Sequence, residues 1–166
     1  PHWSKVRRPK FATHNARLET LSEKPTWREP LVRRHGLIPL TEFIEPIYEG
    51  EHRGYMLGFS ESKEAPLWAA ALWDEWVDSS TGECIPSATI ITHNPSEYVL
   101  GMGHDREPLF INKKSFSPWL KGDLMADKEL SLKAQGDQWI AFLQGAHEEP
   151  SLKVRRDRAL KKVPSF

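Results

Sequence analysis

The chain has 166 residues, a formal net charge of zero and 39% hydrophobic residues, which is enough for one folded domain with its own core. It contains no apolar run long enough to cross a membrane, and its single cysteine, Cys84, excludes an intramolecular disulfide framework and favours a reducing compartment such as the cytoplasm. Basic residues gather towards both ends, a pattern typical of nucleic-acid binding and also of solvated termini: Lys5, Arg7, Arg8, Lys10, Lys153, Arg155, Arg156, Arg158, Lys161 and Lys162.

A short helix is the first predicted element. Residues 20–23, Thr-Leu-Ser-Glu, have the spacing of a capping box. They predict a helix that begins near Thr20 and extends to Arg34, with interruptions at Pro25 and Pro30.

Sequence typical of β-strands follows. Five runs predict strands: 36–45, 54–60, 67–73, 85–92 and 108–112. The third and fourth runs flank the sequence Asp-Ser-Ser-Thr-Gly-Glu, which predicts a hairpin loop because Gly82 is free to take a positive φ.

Two helices are predicted in the second half of the chain. The stretch Asn-Pro-Ser-Glu at 94–97 predicts a helix capped by Asn94 and ended by Gly101 and Gly103. An amphipathic helix fits 135–143, with these side chains facing inward: Trp139, Ile140, Phe142 and Leu143. Because strands dominate, the predicted fold class is α+β, with an antiparallel, barrel-like β core and short flanking helices in one domain over residues 1–166.

Four stretches carry polar or aromatic residues suited to a site: 1–5, 13–20, 39–46 and 101–108. In the second stretch, alternate positions share one face if the chain is extended. In the last, two glycines allow the backbone to approach a ligand closely. The candidates in chain order are Trp3, Asn15, Arg17, Glu19, Glu45, His104, Asp105 and Arg106.

Each candidate also has an ordinary structural explanation. Glu45 suits a strand residue that faces water, and Trp3 suits a side chain that closes the core. Arg17 and Glu19 suit a weak surface ion pair, and the acid after His104 suits a turn in which it caps backbone amides. Acid–base chemistry becomes the better explanation if the fold brings a Glu, a His and an Asn together.

Cysteine and metal chemistry receive little support from the sequence. A hydrolase with Cys84 as nucleophile and His93 or His104 as base lacks an evident activating cation or helix N-terminus. The two histidines are eleven residues apart, and no second pair of ligands has the spacing of a zinc site. We therefore expect no metal and no cofactor.

Seven stretches, taken in order, resemble the SOS-response-associated peptidase (SRAP) family, also described as abasic-site processing proteins. They are PHW (1–3), NARLET (15–20), WR (27–28), RRHGLIPLTEFIEP (33–46), AALWDEW (70–76), TIITHNP (89–95) and HDREP (104–108). The family pattern has TILTTxA where this chain has TIITHNP, and HDRMP where it has HDREP. The match covers residues 1 to about 112, and NARxET and HDRxP at this separation form a specific combination.

The resemblance implies a protein that senses abasic sites in single-stranded or junction DNA and becomes covalently attached to them. In the family, removal of the initiator Met exposes an N-terminal Cys, whose amine condenses with the sugar aldehyde and whose thiol closes a thiazolidine. By position, Glu45 matches the acid–base carboxylate, His104 the histidine that assists ring opening, and Asn15 the residue that positions the reacting groups. The DNA-binding set implied in the same way is Trp3, Arg17, Arg28 and Arg106.

Several departures from the family pattern keep an alternative open. We expect the segment with the N-terminal Cys to precede Pro1, so enzymatic activity of residues 1–166 is not assigned from the sequence. Ile44 and Pro46 differ from the pattern beside Glu45, and the acids Glu42 and Glu107 are expected to crowd the site; such departures suggest a divergent, phage-related branch. The alternative is a noncatalytic, monomeric single-stranded DNA-binding domain on the same fold.

Overall fold

The computed structural model describes residues 1–7, 10, 12–63, 65–122 and 129–161. Two of the basic residues noted near the chain ends, Arg8 and Lys162, lie outside the described residues. The strands are β1 (Asn15–Arg17), β2 (His35–Leu40), β3 (Phe43–Pro46), β4 (Tyr55–Glu61), β5 (Leu67–Val77), β6 (Cys84–His93), β7 (Glu107–Pro108) and β8 (Leu152–Ala159). The helices are α1 (Pro25–Arg33), α2 (Glu97–Gly101), α3 (Phe116–Lys121) and α4 (Leu132–Ala146).

The strands form two sheets. The larger sheet has the order β1-β6-β5-β2, with β7 also paired to β6, and the smaller has the order β3-β4-β8. The predicted α+β class is confirmed, and the described strands do not close into a barrel. Pairing is antiparallel throughout these ladders except between β1 and β6, which run parallel. No helix in the described part of the chain has the length and apolar character needed to cross a membrane.

The stretch predicted as one strand over 36–45 is divided between the two sheets. β2 pairs with β5 in the large sheet, whereas β3 pairs with β4 in the small one. Between them, Glu42 turns towards β8, where its carboxylate oxygens lie 2.6 Å from Nε and 2.5 Å from Nη2 of Arg155. Gly58 lies beneath this ion pair and leaves room for the carboxylate, since a Cβ there would collide with Glu42. Glu42 was expected to crowd the site beside Glu45. Instead, Arg155 of β8 binds its carboxylate.

The first helix begins later than predicted. Thr20 belongs to a short 3₁₀ turn, Leu18–Thr20, and α1 begins at Pro25. A proline at the first helical position sacrifices no hydrogen bond because that N–H has no intrahelical partner. Pro25 therefore starts the helix that it was expected to interrupt, and the helix continues through Pro30.

The β5–β6 hairpin is confirmed, with Gly82 at a φ of 74°. The cap of α2 is not the one predicted. Ser96, rather than Asn94, is the N-cap, and its hydroxyl accepts a hydrogen bond from the backbone N–H of Val99. The basic segment near the C-terminus, expected to be solvated, forms β8, because Leu152 and Val154 pack against the small sheet's core.

Two apolar clusters hold the layers together. One lies between the large sheet and helices α1, α3 and α4, around the fully buried Trp119 and Trp139. The other joins the small sheet to the large one, with Phe43 and Phe59 stacked at 4.9 Å between ring centroids and Phe110 beside them. The second cluster fixes β3, the strand that carries Glu45, against the large sheet.

Helix α4 is longer than the predicted 135–143 and packs closely on the 3₁₀ turn and α1. A Cβ added at Gly136 would lie 3.0 Å from Cβ of Ser22 and 3.1 Å from Cδ2 of Leu31. Gly145, in the same helix, has nothing within 4 Å of such an atom. Substitutions at these two glycines therefore distinguish the effect of close packing on stability from the effect of helix propensity.

We expect Gly136→Ala to destabilise the protein and Gly145→Ala to stabilise it. Both gain helix propensity, up to about 1 kcal/mol, but only the first forces α4 away from Ser22, a strain of about 1–3 kcal/mol. Urea unfolding at constant m-value measures both. Equal midpoints for the two variants would contradict the close packing.

Candidate active site and nucleic-acid interface

Glu45 lies near the end of β3, opposite Leu57 of β4. Its side chain is 24% exposed, and its Oε2 is 3.3 Å from Nε2 of His104, whose side chain is 13% exposed. Strands β4, β5 and β6 lie between Glu45 and His104 in the sequence, yet the two side chains meet where the two sheets adjoin. The contact that an acid–base pair requires is present in the structure.

A glycine brings His104 to this place. Gly103 has a φ of 92°, in the left-handed region that favours glycine. A Cβ there would lie 2.5 Å from the carbonyl oxygen of Glu49 and 3.0 Å from Cγ2 of Ile47. The absence of a side chain therefore lets the chain after α2 lie directly on the loop that follows β3.

Burial shifts the pKa values of the two partners in opposite directions and favours the neutral form of each. Burial, together with the nearby carboxylate of Asp105, raises the pKa of Glu45 to about 7. Burial lowers the pKa of His104, although Asp105 and the carbonyl of Pro46 oppose that shift. A carboxyl group with a pKa near 7 beside an imidazole can donate and accept a proton at physiological pH.

Asn15 and Arg17 lie on a different strand from this pair. Both are exposed on β1. Thr92 of β6 pairs with Arg17 on one edge and with Pro108 of β7 on the other, so β1 and β7 flank β6. No hydrogen bond or ion pair between described residues joins Asn15 to Glu45 or His104, and its positioning role stays a prediction.

Arg106 links the two flanking strands. Its Nη1 and Nη2 lie 3.0 Å and 3.1 Å from the two carboxylate oxygens of Glu19, and Nη2 also donates to the carbonyl of Thr92 at 2.8 Å. Burial raises the pKa of Glu19, but the hydrogen bonds from Arg106 outweigh it and the net shift is downward. Glu19 therefore pairs with Arg106 and not with Arg17, contrary to the surface pair considered from the sequence. A phosphate would have to share or displace this bidentate contact.

The remaining members of the predicted DNA-binding set lie elsewhere. Arg28, on α1, donates to the carbonyls of Ser22 at 3.1 Å and Glu23 at 2.9 Å. Trp3 is 45% exposed in an N-terminal segment that lies on β5, where Nε1 of Trp76 donates to the carbonyl of Ser4 at 2.8 Å. The structure thus places Trp3 and Arg28 around β5 and α1, and brings neither into contact with Glu45.

One expectation about a neighbouring residue is wrong: Glu107, expected to add charge to the DNA surface, is completely buried. Cys84 lies at the opposite end of β6 from His93, about 30 Å away along the strand, so these two cannot form the nucleophile–base pair that the sequence already disfavoured. His147 was not predicted as a site residue, although it joins His93 and Glu107 in one cluster. No spacing rule signals it, because three separate elements supply the members.

Comparison with known proteins identifies the family of the chain. The family model described as SOS response associated peptidase (SRAP) matches residues 1–143. The chain belongs to the SRAP family. The resemblance inferred from the motifs is confirmed.

Relatives of this SRAP chain carry names that refer to abasic sites. The abasic site processing protein YoqW of Bacillus subtilis (strain 168) is 33% identical over 121 residues, covering 72% of this chain and 53% of YoqW. The abasic site processing protein HMCES of Gallus gallus is 26% identical over 166 residues, covering 86% of this chain and 48% of HMCES. The SRAP chain thus spans about half the length of these curated relatives.

A solved structure shares the fold. A crystal structure of a protein from Bacteroides thetaiotaomicron, 24% identical, superposes with a TM-score of 0.68 over 87% of this SRAP chain and 58% of that protein. At this identity the likeness concerns the fold alone.

Proposed function

We propose that this SRAP-family chain takes part in the processing of abasic sites in DNA, with Glu45 and His104 as its proton-transfer pair. The observation that carries the proposal is the 3.3 Å contact between Oε2 of Glu45 and Nε2 of His104, at a place where burial raises the pKa of Glu45 to about 7. The names of YoqW and HMCES, both abasic site processing proteins, support the choice of substrate.

The proposed reaction needs a group that both donates and accepts protons. An amine adds to the aldehyde of the ring-opened sugar and forms a carbinolamine. Protonated Glu45 gives its proton to the departing hydroxyl, which leaves as water and generates an iminium. A thiol then adds to the iminium carbon, gives its proton to the Glu45 carboxylate and closes a thiazolidine. The amine and the thiol are those of the N-terminal cysteine that the family resemblance implies. His104, which is neutral near pH 7, accepts and returns protons through its contact with Glu45.

The DNA contacts of the proposal follow from exposure and charge. Arg17 is exposed on β1, and Arg106 offers a guanidinium fork that exchanges Glu19 for a phosphate. Trp3 offers an aromatic face to an unstacked base, and Arg28 adds positive charge on α1. We propose single-stranded or junction DNA as the substrate, bound by a monomer, with Asn15 positioning the reacting groups.

Lesion-indifferent binding of single-stranded DNA is the second candidate. Two exposed tryptophans favour it, because Trp3 (45%) and Trp73 (41%) offer stacking faces that do not depend on an abasic site. The guanidinium of Arg34 lies 5.9 Å from the ring centroid of Trp73, which places a cation beside that face.

Three oligonucleotides distinguish the two candidates. The full-length protein is incubated with single-stranded DNA that carries an aldehydic abasic site, a tetrahydrofuran analogue without the aldehyde, or no lesion. We expect a covalent band on a denaturing gel with the first oligonucleotide only. Equal binding of all three without a covalent band would support the second candidate and refute the first. Binding by either route weakens steeply as salt concentration rises.

A cysteine variant is the control for the nucleophile. Cys84 is exposed in the β5–β6 hairpin, at the far end of β6 from the segment that carries His104. Cys84→Ser should leave the covalent band unchanged. Loss of the band in this variant would reassign the nucleophile to Cys84.

A further inference from the structure

Three side chains from separate elements meet beside the β6–β7 ladder. His93 is the last residue of β6, Glu107 lies opposite it at the start of β7, and His147 directly follows α4. One ring nitrogen from each histidine and one carboxylate oxygen all lie within 4.8 Å of one another. Backbone pairing fixes all three positions: His93 pairs with Glu107 in the β6–β7 ladder, and His147 forms an isolated β-bridge with Ile111.

Two buried atoms of this cluster face only each other. Nε2 of His93 and Oε1 of Glu107 lie 3.3 Å apart as an ion pair, and neither makes a hydrogen bond to a third group among the described residues. The side chain of Glu107 has no exposed surface and that of His93 is 14% exposed. Because no other group engages these two atoms, both are available to one ion.

The other polar atoms of the cluster are already oriented. Ser96 donates to Oε2 of Glu107 at 2.9 Å. Nδ1 of His147 lies 3.0 Å from the carbonyl oxygen of Phe110, which only accepts, so Nδ1 carries the proton and the lone pair is on Nε2. Outer hydrogen bonds of this kind, to a carboxylate and to the second nitrogen of a histidine, hold metal ligands in place.

We propose that His93, Glu107 and His147 bind a divalent transition-metal ion, with Zn²⁺ the best match, and that water fills the fourth position. Two imidazoles and one carboxylate suit Zn²⁺, whereas Mg²⁺ and Ca²⁺ prefer oxygen ligands alone. Two ligands bound to one tetrahedral Zn²⁺ at its usual bond lengths are about 3.3 Å apart, the separation observed between His93 and Glu107. The ligand atom of His147 lies within 4.8 Å of the other two, so it must approach the ion by no more than about 1.5 Å.

The bound ion ties three elements together near the candidate active site. It links the end of β6, the start of β7 and the end of α4. Arg106 directly precedes Glu107, and His104 lies three residues before it. The ion therefore restrains the segment that presents His104 to Glu45.

Metal binding is tested without DNA. Untagged full-length protein is stripped with a chelator and titrated with Zn²⁺ by calorimetry, and Co²⁺ is added separately to obtain the absorption bands of tetrahedral geometry. We expect one ion per chain. His147→Ala and Glu107→Gln should each weaken binding at least about 100-fold, whereas His14→Ala, which removes an exposed histidine outside the cluster, should not.

Thermal unfolding provides a second measurement for the same variants. Zn²⁺ at about one hundred times its Kd should raise the Tm of the wild type by about 5–10 °C and leave that of His147→Ala unchanged. His147 is partly exposed, so this variant is expected to fold even if Glu107→Gln does not. Binding of equal strength in His147→Ala, or binding by the wild type no tighter than millimolar, would overturn the proposal and leave the cluster as a hydrogen-bonded ion pair.

Discussion

Replacing Glu45 with glutamine is expected to slow abasic-site cross-linking about 100-fold or more and to stabilise the fold above pH 7. The loss of rate follows from the loss of a positioned acid–base group, whose contribution is typically about 10²–10⁴-fold. Glutamine keeps the shape and one acceptor oxygen, so DNA binding should change little. The gain in stability follows from the burial that raises the pKa of Glu45.

The pKa values of Glu45 in the unfolded and the folded chain set the pH range in which the substitution changes stability. Its pKa is 4.5 in the unfolded chain and about 7 in the folded one. Between these values the folded state binds more protons, so the free energy of unfolding falls as pH rises, and the loss is complete above pH 7. Its upper limit is about 3 kcal/mol. The neutral glutamine side chain of the variant does not incur this loss.

Unfolding midpoints in urea at pH 4 and pH 8 measure the effect. Glu45→Gln should match the wild type at pH 4 and exceed it at pH 8. The lowered pKa of His104 gives the opposite slope, but that contribution is common to both proteins and largely cancels in the difference. Glu51→Gln, at an exposed turn position, is the matched control and should change neither rate nor midpoint. A Glu45→Gln variant that is less stable at pH 8 and cross-links normally would remove Glu45 from the proposed pair.

Gly103→Ala is expected to lower the free energy of unfolding by about 3–5 kcal/mol. An alanine at a φ of 92° is strained, and its Cβ would lie 2.5 Å from the backbone oxygen of Glu49, which cannot rotate away as a side chain does. Relief requires the chain after α2 to move off the loop that follows β3. His104 then leaves Glu45, and the cross-linking rate should fall together with stability.

Substitutions at two other glycines separate the cost of the positive φ at Gly103 from the cost of the contact with Glu49. Gly50 has a φ of 73° but open space around it, so Gly50→Ala should cost only the backbone strain of about 1–2 kcal/mol. Gly101 ends α2 without a positive φ and with nothing within 4 Å, so Gly101→Ala should be neutral or slightly stabilising. Urea midpoints rank the three variants. If Gly103→Ala and Gly50→Ala lower the free energy of unfolding equally, the contact with Glu49 contributes nothing to the loss of stability.

The parts of the fold predicted from the sequence are those with local causes. The β5–β6 hairpin follows from two apolar runs and a glycine that accepts a positive φ, all within one segment. The family resemblance predicted that Asn15, Glu45 and His104 converge, and the structure shows the contact between Glu45 and His104 but no hydrogen bond from Asn15 to either among the described residues. Helix ends were less predictable: Thr20 and Asn94 have the chemistry of caps, but Lys24 and Ser96 occupy the cap positions of α1 and α2, a few residues further on.

The features that the sequence did not reveal depend on partners distant in the chain. The segment that forms β8 looks like a charged tail, and only its pairing with β4 makes it a strand. Glu107 looked like a surface acid because nothing in its neighbourhood indicates that His93 and Ser96 surround it. Burial raises the pKa of Glu107, but its interactions with His93 and Ser96 outweigh burial and hold that pKa below its usual value. Such surroundings exist only after the chain has folded.

The division of residues 36–46 between two sheets affects how the contact between Glu45 and His104 can be broken. Glu45 lies in the three-stranded sheet, whereas His104 lies between α2 and β7, in the segment that follows β6 of the five-stranded sheet. Phe43, Phe59 and Phe110 are part of what joins the two sheets. Partial opening along this seam separates the acid from the histidine while each sheet keeps its own hydrogen bonds. The contact between Glu45 and His104 therefore depends on the packing between the two sheets.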